Sequence, residues 1–194
     1  MSTFPLKLFL LLVVSQSSTA TFSSSSNPSI HVINQPHTPK GVAGKDTTLI
    51  QETCKRTKSY DLCVKTLESD TRSYNTDAAG LTKIAIEHAL TNANELYKQS
   101  ILWRKKTDLD QKTIRALETC SQLYGDAIDG LTKAVQAMES KDYQTANLHV
   151  GVAKEAATTC NQEFQEYRRK MPFVEQNENL NYLSSIALAL ISHP

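Results

Sequence analysis

Between residues 114 and 138 the side chains Ile114, Leu117, Ser121, Tyr124, Ile128, Leu131, Val135 and Met138 recur in alternating steps of three and four. That period lines up one face of an α-helix. A second stripe with the same steps runs Tyr143, Ala146, Val150, Ala153, Ala157, Cys160, Phe164 and Tyr167, and the small residues at its middle let a neighbouring helix come close. A less regular stripe, Ile86, Leu90, Ala93, Tyr97 and Ile101, precedes them, and Leu180, Leu183, Ala187 and Leu190 follow. Two shorter helical segments, about 47–55 and 60–68, meet at Lys58-Ser59. Residues 40–171 contain no proline, and no stretch alternates as a strand would. Short connections make successive helices antiparallel. The pattern therefore predicts an all-α fold: an up-and-down four-helix bundle over about 76–192, carrying an N-terminal helical hairpin over about 47–68.

The first 44 residues read differently. Lys7, the unbroken apolar run of seven residues 8–14, and the small residues Ser18-Thr19-Ala20 make up the three parts of a secretory signal peptide over 1–20. The apolar run is far short of the ~20 residues a membrane span needs. Residues 21–44, with serines at 23–26 and prolines at 28, 36 and 39, show neither period and read as a flexible tail. Pro28 disqualifies Asn27-Pro28-Ser29 as a glycan acceptor. The folded domain is expected over 45–194.

Cys54, Cys63, Cys120 and Cys160 are the four cysteines, and four allow three pairings. Cys120 and Cys160 stand equally far from residue 140, inside the polar turn Glu139-Ser140-Lys141-Asp142. An antiparallel hairpin of two helices puts them at one level, so they can bond. Cys54 and Cys63 flank Lys58-Ser59 in the same way. Zinc is disfavoured, because no Cys-x-x-Cys occurs and no His sits three or four residues from a Cys.

Composition then narrows function. Twenty-one Lys and Arg against 20 Asp and Glu argue against a nucleic-acid binder. A nucleophile elbow, a Walker loop and a His-Glu-x-x-His motif are all absent from the sequence, which implies no cofactor and no catalysis. Asp126 and Asp129 flank the core position Ile128 and read as solvated. His149 reads as a boundary residue and Trp103 as packing. The runs Arg104-Lys105-Lys106 and Arg168-Arg169-Lys170 fall at helix ends, where they complement the dipole. A secreted, cross-linked bundle of this kind would work through its surface, as a helical signalling or binding protein does.

The stretch Thr53-Cys54-Lys55-Arg56-Thr57, then Tyr60-Asp61-Leu62-Cys63 and Leu67-Glu68-Ser69-Asp70, resembles the opening of the plant invertase and pectin methylesterase inhibitors. Cys120 with Tyr124-Gly125-Asp126-Ala127, Lys141-Asp142-Tyr143-Gln144-Thr145-Ala146-Asn147 and Thr158-Thr159-Cys160 are similar to later blocks of that family. The resemblance spans about residues 47–192, and Tyr182-Leu183-Ser184-Ser185-Ile186-Ala187-Leu188-Ala189 resembles a pollen-allergen subgroup of invertase inhibitors. It implies the same bundle, the pairings 54–63 and 120–160, and an apoplastic or cell-wall location. It also implies one of two partners, pectin methylesterase or acid invertase, with neither nucleic acid nor membrane. Family members acting on invertase present Pro-Lys-Phe at the turn, where this chain has Ser140-Lys141-Asp142-Tyr143. That departure ranks pectin methylesterase first. Asp126, Lys141, Asp142 and Asn147, polar positions near or off the stripes, are the expected partner-binding residues.

Overall fold

A computed structural model describes residues 46–192. The expected signal peptide and tail lie outside the described residues. Six α-helices follow one another: α1 (Thr48–Cys54), α2 (Tyr60–Ser69), α3 (Ala78–Arg104), α4 (Gln111–Glu139), α5 (Tyr143–Glu166) and α6 (Val174–Ile191), with a 3₁₀ turn at Thr71–Asn75 before α3. There is no strand among the described residues. Aspartates start the three longest helices. Asp77 accepts from the Gly80 N–H at 2.8 Å, Asp110 from the Lys112 and Thr113 N–H groups at 3.0 and 3.2 Å, and Asp142 from the Thr145 N–H at 3.0 Å. Each satisfies donors that the first turn leaves open.

Helix α3 packs on α4 and α6, and α5 packs on the same two, closing a four-helix ring. Pairs across the seams set the directions. Lys83 near the start of α3 meets Glu139 at the end of α4 at 2.6 Å, while Arg104 at the end of α3 meets Glu118 at 3.1 Å. Cys120 of α4 bonds Cys160 of α5, and Asn181 in the middle of α6 donates to Thr158 Oγ1 of α5 at 3.0 Å. The hairpin α1–α2 is closed by Cys54–Cys63 and buries Ile50 and Leu67 against α3. Arg72 ties it down, forking onto Asp70 and reaching Glu87 of α3 at 2.6 Å. The Arg72 hydrogen bond holds the Asp70 carboxyl down at about 2.

The stripes expected on α4, α5 and α6 are buried or half-buried throughout. On α3 Ile86 and Ala93 are buried and Leu90 and Ile101 half-buried, but Tyr97 is 38% exposed and its neighbours Leu96 and Ser100 are buried in its place. This helix faces the hairpin as well as α4 and α6, so its buried surface is broader than one stripe. Ser100 tolerates full burial because its hydroxyl donates to the Tyr97 carbonyl at 2.7 Å.

Both α4 and α5 end in the same hydrogen-bonded stop. The N–H of Lys141 donates to Met138 O and that of Asp142 to Ala137 O. Arg168 and Arg169 repeat the arrangement onto Gln165 O and Phe164 O. It needs a left-handed residue, and Lys141 (φ 59°) and Arg168 (φ 53°) fill that position without being glycine. Lys141→Gly and Arg168→Gly should each raise the unfolding free energy by about 0.5–1 kcal/mol, the relief of Cβ strain less the extra entropy of an unfolded glycine. Chemical denaturation of each variant measures it, and a loss of stability would contradict the geometry.

Candidate functional site

The disulfide at Cys120 and Cys160, with Cα atoms 4.9 Å apart, sets the register of α4 against α5. Gly130 helps them approach: a Cβ built there would lie 3.0 Å from the His149 carbonyl oxygen. Beside this disulfide the core holds a polar network. The Tyr124 hydroxyl lies 3.0 Å from Cys160 Sγ and donates to Asn177 Oδ1 at 2.7 Å, while Asn177 Nδ2 donates to the Ala157 carbonyl at 2.9 Å. Burial pushes the Tyr124 phenol well above its ordinary value, so it remains a donor. Phe173 stacks edge-on against both Tyr124 and Phe164, at centroid distances of 6.2 and 6.3 Å. Three helices are thus fixed to one another through satisfied buried groups.

On the outer side of the α4–α5 seam runs a shallow groove of about 410 Å³ lined by Leu123, Asp126, Leu148, Gly151, Val152 and Glu155. Its floor is apolar and its polar atoms are few. Leu148 is 68% exposed and Val152 38% exposed. These two stand four apart and off the core stripe of α5, so they share its outer face. Asp126 and Glu155 supply carboxylates along the edges.

The four residues expected to bind a partner fall into two places. Asp126 lines the groove, and Asn147 is exposed on α5 immediately before Leu148. Lys141 and Asp142 sit in the α4–α5 turn, fifteen or more residues from Asp126 along α4, roughly 20 Å at the helical rise. Both are exposed. Asp142 has a structural task as the cap of α5, and its hydrogen bonds to Thr145 lower its pKa. Leu148, Val152 and Glu155 were not expected from the sequence. Among the described residues no group of His, Cys, Asp or Glu is placed to hold a metal, and no helix is long and apolar enough to cross a membrane.

The profile of the plant invertase/pectin methylesterase inhibitors matches residues 48–190. The chain belongs to that family. Its members are inhibitors rather than catalysts. A pectinesterase inhibitor of Actinidia deliciosa is 38% identical over 117 residues, 60% of this chain and 63% of that protein's length. A cell wall / vacuolar inhibitor of fructosidase from Arabidopsis thaliana is 31% identical over 161 residues, 83% of this chain and 80% of that one. The crystal structure of a mutant pectin methylesterase inhibitor from Arabidopsis superposes with a TM-score of 0.64 at 23% identity, covering 72% of this chain and 93% of the other. The chain therefore shares the all-α fold of a solved pectin methylesterase inhibitor.

Proposed function

We propose that the protein is secreted to the plant cell wall and forms a stoichiometric, reversible complex with a pectin methylesterase, covering the enzyme's substrate cleft with the outer face of α4 and α5. Residues 1–20 direct export, residues 21–44 are a tail dispensable for inhibition, and residues 45–194 carry the inhibitory surface. The observation that carries the reading is the groove at Leu148 and Val152: apolar side chains held in water by a cross-linked helix pair, with Asp126 and Glu155 at the edges and Asn147 beside it. An apolar centre with a polar rim is the anatomy of an association surface, and a preorganised scaffold loses little entropy on docking. The relative named as a pectinesterase inhibitor supports the choice of target.

Acid invertase is the second reading. It draws on the relative named as a fructosidase inhibitor and on the turn, where the exposed Lys141 is held at positive φ two residues before Tyr143. Titrating the oxidised protein into each enzyme at mildly acidic pH separates the two. Pectin methylesterase activity should fall to an endpoint at one inhibitor per enzyme while invertase is unaffected. Inhibition of invertase alone would transfer the function to the turn, and inhibition of neither would leave a non-inhibitory binding protein.

A further inference from the structure

The basic runs Arg104-Lys105-Lys106 and Arg168-Arg169-Lys170 are far apart in sequence, but the fold brings them to one pole of the bundle. Trp103 and Lys170 line the same open cleft of about 560 Å³, together with Pro172, Val174, Glu175 and Gln176. Lys106 Nζ sits 3.1 Å from the centroid of the Trp103 ring. All six basic side chains are exposed. Arg104 is paired with Glu118 at 3.1 Å and Arg169 with Asp110 at 2.9 Å. Lys105, Lys106, Arg168 and Lys170 have no carboxylate within 4.0 Å among the described residues.

Helix dipoles do not account for this concentration. The pole carries the C-termini of α3 and α5 but also the N-termini of α4 and α6. The partial charges of the four ends oppose one another, so the local field is set by the side chains. Cations without carboxylate partners at one pole, with Lys106 on the Trp103 ring and Lys170 in the same cleft, form a surface for an anion that also has an apolar face.

We propose that this pole binds a polyuronate, a chain of uronic-acid sugars with free carboxylates. Lys105, Lys106, Arg168 and Lys170 meet successive carboxylates, and the Trp103, Pro172 and Val174 wall takes the apolar face of a sugar ring. A nucleic-acid duplex fits less well. The chain's formal charge is only +1, and Glu175 stands in the cleft itself, so there is no broad positive field to steer a dense phosphate backbone. The choice of uronate among polyanions rests on the pectin methylesterase reading, because removal of pectin's methyl esters creates that chemistry. A bound polyuronate would hold the inhibitor where its target has already acted.

The test uses the oxidised full-length mature protein without any enzyme. Polygalacturonate, fully methyl-esterified pectin, duplex DNA and phosphatidylserine vesicles are compared by titration calorimetry over a range of salt. Polygalacturonate should bind with an affinity that falls as salt rises, and the esterified polymer should not bind. Lys106→Ser with Lys170→Ser should weaken binding about tenfold or more and flatten the salt dependence, as loss of two contacts to a polyanion does, with the thermal midpoint unchanged. Trp103→Leu should weaken binding without altering the salt slope; if it fails to fold, the double lysine variant still decides. Equal binding of esterified pectin, wild-type affinity in the double variant, or binding of DNA or vesicles as tight as that of polygalacturonate would overturn the proposal. Inhibition is measured separately, so either activity can fail while the other stands.

Discussion

Replacing Cys120 and Cys160 together by alanine should lower the unfolding free energy by about 4 kcal/mol, and the same change at Cys54 and Cys63 by about 2.7 kcal/mol. The difference comes from the closed loops: the first pair is separated by 40 positions and the second by nine, and loop-closure entropy grows with the logarithm of that length. Packing widens the gap. Cys160 Sγ contacts the Tyr124 hydroxyl in the fully buried network that reaches Asn177 and Ala157, so truncation there also leaves a void among satisfied polar groups. A typical domain of this kind has only about 5–15 kcal/mol in total. The α4–α5 variant should therefore unfold at markedly lower denaturant, and with it the groove should lose its fixed register. The hairpin variant keeps that register and should keep inhibition. Urea titrations of the two variants measure the ranking, and equal losses would show that loop length does not set it.

The same arithmetic explains why so much of the fold could be read from the sequence. Helices α4 and α5 are long and capped by aspartates, so counting residues from the turn at Ser140 locates Cys120 opposite Cys160. Asn177 escaped notice because it is polar, although it stands three residues before Leu180 in the α6 stripe. It is only 2% exposed, and its amide is tolerated there because Tyr124 and Ala157 satisfy it. A polar residue on an apolar stripe was the available signal. The groove was missed for the converse reason. Leu148 and Val152 are apolar residues off the α5 stripe, and a search for polar contact residues passes over them. The basic pole was beyond local reading altogether, since only the closed ring of helices brings the ends of α3 and α5 to one pole and Lys170 to the cleft of Trp103.

Leu148→Asp should weaken inhibition of the target enzyme at least about 100-fold while leaving stability within about 0.5 kcal/mol. Its side chain is 68% exposed in the free protein, so folding neither buries nor strains the new carboxylate. In the proposed complex the position would be covered by the enzyme, in an apolar groove that Asp126 of α4 and Glu155 of α5 also line. A third carboxylate there would be desolvated without a cationic partner, a cost of about 3–5 kcal/mol, and each 1.4 kcal/mol is a factor of about ten in affinity. Asp126→Asn and Asn147→Ala, at the rim, should cost much less, because peripheral contacts chiefly exclude water. Lys141→Ala, roughly 20 Å away at the turn, should cost little. Inhibition constants for the four variants against one pectin methylesterase give the ordering. If Leu148→Asp inhibited as well as the parent while Lys141→Ala did not, the turn rather than the seam would be the surface that meets the enzyme.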